Sequence, residues 1–411
     1  MKNRFEIPQY YRSSFVTTLK RAHKAGYRKG MPLEPSVIDL GKIKIKLAMH
    51  FGLCFGVENA IDIAYRAVAE NPDKRIFLLS EMIHNPHVNR DLEEKGVKFL
   101  QTTEGKQLFH FEDLKLGDVI IVPAFGTTLD MEKKLIERGL DIKTYDTTCP
   151  FVDKVWRRSA QLGQQGFSVI IHGKPTHEET RATFSHAAAE APSFVIKDLE
   201  EAKLLAEFIS VERDLQKLSE VFPDRASANF NPQKDLERIG VVNQTTMLAS
   251  ETQAISDLLK QAIVKRFGAE KAKDHFADTR DTLCYATNEN QNAMRALMQS
   301  GGDFAIIVGG FKSSNTSHLV EICEGVLPCY FIQDDKNLKS LDLIEHLDLN
   351  LKQVVETYSW FPKDKAHIEI LISAGASCPD SLVEKVINRI AELAGCSQEL
   401  ESLPNLGEAR I

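Results

Sequence analysis

Asp146-Thr147-Thr148-Cys149 is echoed 135 residues further on by Asp281-Thr282-Leu283-Cys284, and the fold turns on reading the two together. The first tetrad follows an apolar run of strand length, and both precede stretches of helical periodicity. Cys54, in Phe51-Gly52-Leu53-Cys54-Phe55-Gly56, sits at an equivalent corner after the first strand and before a helix beginning near Val57. Cys378, in Ser373-Ala374-Gly375-Ala376-Ser377-Cys378-Pro379, makes a fourth. The successive separations of 95, 135 and 94 residues are each the length of a small α/β subdomain.

Outward from these corners, short apolar runs alternate with amphipathic stretches, the pattern of βα units around largely parallel sheets. Strands are expected at 43–49, 75–79, 118–122, 142–145, 168–172, 239–243, 304–308, 329–332 and 367–373. Helices fill the intervals; 57–70 gathers Val57, Ile61, Ala64, Tyr65 and Val68 on one face, and 381–393 does the same with Leu382, Val386, Ile390 and Leu393. The charged stretch 201–234 reads as a helix followed by a surface loop.

With 411 residues, 43% hydrophobic and 27% charged, the chain is long enough for more than one compact unit and has a globular balance. No apolar run reaches the roughly 18–20 residues of a membrane span, and the start lacks a signal-peptide apolar stretch. Seven cysteines are too sparse for a disulfide framework, and reduced thiols in a cytoplasmic setting follow. The net charge of −7 conceals an asymmetry: residues 1–46 carry eleven Lys/Arg against three Asp/Glu, so a basic arm precedes an acidic body. The arm reads as a solvated extension packing Phe5, Tyr10, Tyr11 and Phe15 on the body, as a transit peptide, or as a docking surface for an acidic protein. Gly30-Met31-Pro32 and Glu34-Pro35 suggest a linker behind it.

A thiol at a helix start feels the positive end of the helix dipole, which favours the metal-binding thiolate. Pro150, after Cys149, is the residue favoured at the first helical position. Each cysteine retains the alternative reading of a small buried hydrophobe. Cys323, Cys329 and Cys396 have no corner context and read as core or surface residues. The absence of any C-x-x-C pair argues against zinc fingers, thioredoxin-like sites and clustered-cysteine ferredoxin patterns.

Polar loops surround these corners. In Gly309-Gly310-Phe311-Lys312-Ser313-Ser314-Asn315-Thr316-Ser317, glycines end a strand and hydroxyls open a helix, an arrangement suited to a phosphate or to simple capping. His177 and Glu179, in Lys174-Pro175-Thr176-His177-Glu178-Glu179, can place an imidazole and a carboxyl in one cleft as a proton source and relay. Ile83-His84-Asn85 and Gln244-Thr245-Thr246 add further polar groups at segment ends.

The order of these motifs resembles the 4-hydroxy-3-methylbut-2-enyl diphosphate reductase (LytB) family across about residues 46–393. Its markers are Phe51-Gly52-Leu53-Cys54-Phe55-Gly56-Val57, Ile83-His84-Asn85, Asp146-Thr147-Thr148-Cys149-Pro150, Thr176-His177-Glu178-Glu179, Asn243-Gln244-Thr245-Thr246, Asp281-Thr282-Leu283-Cys284-Tyr285-Ala286-Thr287, Ser313-Ser314-Asn315 and Ser373-Ala374-Gly375-Ala376-Ser377. The basic arm and the insertion after Glu201 look like the extended cyanobacterial and plastid branch. The resemblance implies three pseudo-symmetric α/β subdomains in a trefoil around a central iron–sulfur cluster. The chain then divides into a basic extension 1–42, a first subdomain 43–148 plus 377–411, a second 149–283 and a third 284–376.

It further implies that Cys54, Cys149 and Cys284 hold a 4Fe-4S cluster whose fourth iron is open to substrate, with no ligand role for Cys378. His84, His177, Ser313, Ser314, Asn315 and Ser377 match positions that hold the diphosphate, Glu179 matches the proton donor, and Thr245 the hydroxyl beside the substrate alcohol. The implied reaction is reductive dehydroxylation of an allylic diphosphate to isopentenyl and dimethylallyl diphosphates, with electrons from a ferredoxin or flavodoxin. The implied residence is the bacterial cytoplasm, with plastid stroma second. Two other classes compete: a three-cysteine zinc hydrolase, and a non-catalytic redox sensor or RNA-binding protein supported only by the basic arm; no aromatic-interleaved basic patch points to nucleic acid. One departure stands out: Phe125, in Ala124-Phe125-Gly126, occupies the place where many members carry a diphosphate-binding His. Phe cannot donate that bond, a loss of about 1.5–3 kcal/mol unless another donor such as His172 or Lys174 substitutes.

Overall fold

The computed structural model describes residues 11–26, 31–277 and 282–402. Phe5, Tyr10, Gly30 and Asp281 lie outside them. Among the described residues the strands form three sheets within a mixed α/β architecture. The largest has seven strands in the order β1 (Ser36–Asp39), β2 (Ile43–Leu47), β14 (Ile368–Ala374), β10 (Phe304–Val308), β11 (Cys329–Ile332), β12 (Leu343–Asp348) and β13 (Gln353–Tyr358). A three-stranded parallel sheet orders β4 (Val97–Phe99), β3 (Ile76–Leu78) and β5 (Val119–Ile121). A four-stranded parallel sheet orders β7 (Ser193–Ile196), β6 (Ser168–His172), β8 (Ile239–Asn243) and β9 (Phe276–Ala277).

The chain divides into two compact bodies. One comprises Met1–Glu58, His84–Val88 and Tyr285–Ile411, and holds the seven-stranded sheet. Its centre is the parallel run β2-β14-β10-β11, whose middle strand Phe304–Val308 is buried at every position, as expected where helices cover both faces. On β2, Ile43, Ile45 and Leu47 face the core while Lys44 and Lys46 alternate outward. The helix Asp380–Ala394 lays Leu382, Val386 and Ile390 on this core. The second body comprises Asn59–Ile83 and Asn89–Cys284, with both smaller sheets. There Phe194 stacks edge-on against Phe222, and the helices Leu199–Ile209 and Ala249–Phe267 bury Leu205, Ile209, Ile255 and Leu259 around the same core.

The expected strands at 168–172, 239–243, 304–308 and 329–332 form with those bounds. The one expected at 142–145 does not: the Asp141 carboxylate accepts from the backbone N–H of Lys143 and Thr144, closing a turn, and only Asp146 bridges to Val122. Strand 43–47 pairs with β14 and so shares its sheet with β10–β13. The antiparallel hairpin β12-β13 and the edge strand β1 carry too few apolar residues to stand out in the sequence. No described helix is long and apolar enough to cross a membrane.

The basic extension contributes to the core. In the helix Ser14–Gly26, Ser13 caps the first turn by accepting from the Val16 N–H at 2.8 Å, and Val16 and Leu19 join the cluster of the seven-stranded sheet. Val16 is fully buried, so Val16→Asp would bury an unpaired carboxylate and should lower unfolding free energy by about 3 kcal/mol or more, measured by urea denaturation.

Candidate functional site

Two sets of residues singled out in the sequence assemble, one in each body. In the first body Ser313 caps the helix Ser314–Cys323: its hydroxyl accepts from the Thr316 N–H at 3.3 Å and from the Thr316 hydroxyl at 2.9 Å. Ser313, Ser314 and Asn315 are all buried at this helix start, where N–H groups and the dipole favour an anion. Asn315 Oδ1 accepts from the Ala376 N–H at 2.8 Å, and the Ser377 hydroxyl donates to the His84 carbonyl at 3.4 Å, so His84, Asn315 and Ser377 lie in one hydrogen-bonded neighbourhood. Gly310 makes this possible, because a Cβ there would stand 2.1 Å from the His84 carbonyl oxygen.

In the second body His177 caps the helix Glu178–Glu190, its Nδ1 accepting from the Glu179 N–H at 3.2 Å. In the neutral ring the proton must therefore sit on Nε2, leaving that nitrogen a donor. Glu179 is 1% exposed; its carboxylate accepts from the Thr245 N–H at 2.5 Å and from the Thr245 hydroxyl. Burial pushes the Glu179 carboxyl up to about 7, and the two Thr245 bonds, which favour the ionised form, oppose that rise. Burial likewise lifts neighbouring Glu178 to about 8, opposed by a bond from Ser80. A carboxyl poised near neutrality beside a hydroxyl and an imidazole can give or take a proton at physiological pH.

The cysteine corners share a construction. Cys149 is the N-cap of the helix Pro150–Gln164, with Pro150 at the first position, and its sulfur does not cap the helix. Its N–H donates to the Ala124 carbonyl at 2.9 Å. Asp146 accepts from the Thr148 N–H and hydroxyl, while the Thr147 hydroxyl donates to Val122 at the end of β5. In the echoed segment the Thr282 hydroxyl donates to Asn243 Oδ1 at the end of β8. The echo thus reflects a threonine that anchors each corner to a strand end. Cys284 immediately precedes the helix Tyr285–Gln299, as Cys54 precedes Phe55–Glu70, and the Cys54 N–H donates to the Ala376 carbonyl at 3.2 Å.

The described residues contain no three His, Cys, Asp or Glu side chains already gathered at metal-binding distance; Cys54 belongs to the first body, Cys149 and Cys284 to the second. What fits a thiophilic iron centre is the donor chemistry, three thiols each at a helix start. Cys378 is fully buried, and burial pushes its thiol well above the usual range.

Sequence reasoning missed Asn243 and Gln244 as organisers. Gln244 Oε1 accepts from the Lys174 N–H at 3.1 Å and the Thr180 hydroxyl at 2.9 Å, binding the 172–174 turn to the helix that carries Glu179. Their signal was a pair of amides directly after an apolar strand. His172, which the sequence offered as a replacement donor for Phe125, is fully buried, its Nδ1 2.9 Å from the Thr252 hydroxyl and its Nε2 3.7 Å from Glu251. Phe125 sets its ring edge-on to His177, centroids 5.5 Å apart at 86°.

The LytB protein family matches residues 45–391. The chain belongs to the LytB family. Among LytB relatives, the 4-hydroxy-3-methylbut-2-enyl diphosphate reductase of Synechococcus sp. is 39% identical over 384 residues, covering 93% of this chain and 91% of the relative. The reductase of the same name from Trichormus variabilis is 40% identical over 357 residues, covering 87% and 86%. A solved (E)-4-hydroxy-3-methyl-but-2-enyl diphosphate reductase, described as the terminal enzyme of the non-mevalonate pathway, matches with a TM-score of 0.51 at 25% identity, over 85% of this chain and 99% of its own. The Plasmodium falciparum E-1-hydroxy-2-methyl-but-2-enyl-4-diphosphate reductase shares the fold, with a TM-score of 0.60 at 21% identity over 85% and 88%.

Because Glu179 binds its proton more tightly folded than unfolded, its contribution to stability is complete below the ordinary carboxylate range and is lost as pH rises through about 7. Urea denaturation at pH 5 and pH 8 should therefore show a smaller fall in stability for Glu179→Gln than for the parent; equal falls would contradict the raised value.

Proposed function

We propose that the chain is a 4-hydroxy-3-methylbut-2-enyl diphosphate reductase, removing the allylic hydroxyl of its substrate with two electrons and two protons to give isopentenyl and dimethylallyl diphosphates and water. The observation that carries this reading is the buried Glu179, raised to about 7 and bonded to Thr245 behind the His177 cap. Hydroxide is a poor leaving group, and a carboxyl that is substantially protonated near neutral pH can deliver the proton with which it departs as water.

Cys54, Cys149 and Cys284 would hold a 4Fe-4S cluster, which when bound supplies electrons one at a time and an iron without a protein ligand as Lewis acid for the substrate oxygen. The Thr245 hydroxyl orients the alcohol against Glu179, and His177 offers its Nε2 proton beside them. His84, Ser313, Ser314, Asn315 and Ser377 hold the diphosphate, with the helix start at Ser314 supplying N–H donors. Fixing that anchor positions the reacting carbons, so the chemistry proceeds as an intramolecular event. Phe125 supplies an apolar wall to His177 and contributes no bond to the diphosphate. A ferredoxin or flavodoxin supplies the electrons, in a cytoplasm where the cysteines remain thiols.

Anaerobically purified protein should contain iron and labile sulfide and turn over the hydroxylated diphosphate. Glu179→Gln should keep both iron and sulfide while losing about 10²–10⁴ in turnover. A colourless protein with stoichiometric zinc and no labile sulfide would overturn the reading.

A further inference from the structure

Lys20, in the basic N-terminal helix, has its ammonium turned inward. Its side chain is 16% exposed and its Nζ lies 2.5 Å from Asp380 Oδ1, itself on a side chain only 16% exposed. Thr17 supports the pair, its hydroxyl 3.5 Å from the other Asp380 oxygen. The same ammonium stands 4.2 Å from the centroid of the Phe51 ring, and Phe51 opens the stretch that ends at Cys54. Gly52 is pressed under the ion pair: a Cβ there would lie 2.8 Å from Asp380 Oδ1, 2.9 Å from Lys20 Nζ and 3.2 Å from the Cys378 carbonyl. Its φ of +73° also favours glycine.

The other edge of this stretch is held by backbone. Gly52 N–H donates to the Ala374 carbonyl and Cys54 N–H to the Ala376 carbonyl, each at 3.2 Å, extending the parallel pairing of β2 with β14 past the strand ends. Residues 51–54 are therefore gripped from two sides, by β14's exit and by Lys20. Asp380 suits its place, since it opens the helix Asp380–Ala394, where the dipole favours an anion. Without Asp380 that same helix start would repel the Lys20 ammonium.

We propose that the helix Ser14–Gly26 is a clasp on the Cys54 corner and that Lys20 is its positioning residue, fixing backbone 51–54 and thereby the thiolate that Cys54 offers to the iron–sulfur centre. The second half of this statement rests on the function proposed above. The clasp gives part of the extension's positive charge an internal use: Lys20 is spent on the chain's own corner and is not part of a surface for an acidic electron carrier.

The test compares the full-length parent with Lys20→Met, which keeps the aliphatic stem over Phe51, Lys20→Arg, which keeps the charge, and Asp380→Asn. Amide exchange is followed by mass spectrometry in peptides spanning 51–56, with the central strand Phe304–Val308 as the internal reference. In apo protein, Lys20→Met and Asp380→Asn should speed exchange in 51–56 by about tenfold, the worth of one ion pair and one cation–π contact, with the reference unchanged and Lys20→Arg near the parent. Chelator-driven iron loss from reconstituted protein should accelerate in the same order. Unchanged exchange in 51–56 overturns the clasp. Faster exchange with unaltered iron loss overturns its link to the centre. Failure of the parent to take up iron and sulfide refutes the iron–sulfur reading on which that link rests, while the exchange result still decides the clasp.

Discussion

The structure depends on the hydrogen bonds that a chain segment makes just after it leaves a strand. The Cys54 corner is tied through Gly52 and Cys54 to the carbonyls of Ala374 and Ala376, and the Cys149 corner through its own N–H to Ala124 and through Thr147 to Val122. Each of these partners lies at or just beyond the C-terminal end of a neighbouring strand. That is where the polar groups of an open α/β sheet collect, because strand and helix have both stopped using their backbone groups there. A cysteine at such a place is held by its backbone on one side and opens a helix on the other.

The same economy governs the acid–base group. Glu179 could not be an effective donor near neutrality if it were exposed, and it could not be buried without partners. Thr245 supplies two bonds, from its N–H and its hydroxyl, and His177 orders the backbone in front of it. Gln244, in turn, fixes the relation of the 172–174 turn to the Glu179 helix through Lys174 and Thr180. Each polar group is satisfied by a neighbour at another segment's end, and the result is a carboxyl whose proton affinity is set by burial and limited by two bonds.

The diphosphate contacts assigned by resemblance cluster for a related reason. Ser313 uses its hydroxyl to cap its own helix, and Asn315 uses its amide oxygen to bind Ala376, so both residues stabilise the loops that carry them. His172, offered by the sequence as a replacement donor, is fully buried, with its Nδ1 2.9 Å from the Thr252 hydroxyl. Phe125 makes an edge-on aromatic contact to His177.

By itself the sequence determined the central strands and the placement of the cysteines at helix starts. Apolar runs such as Phe304–Val308 and Ile239–Asn243 read correctly because a strand covered on both faces has to be apolar throughout, a local property. Cys149 with Pro150 was legible because the preference for Pro at the first helical position acts over one residue. Tertiary structure alone decided what depends on distant partners. β2 joined β14 across more than three hundred residues, and His172 was withdrawn into the core. Lys20 looked like one more charge on a solvated arm, since nothing in its neighbourhood of sequence announces that Asp380, 360 residues away, will meet it beside Phe51. Burial and long-range pairing set the Glu179 proton affinity and the Lys20 contacts, and neither is written in the residues that flank them.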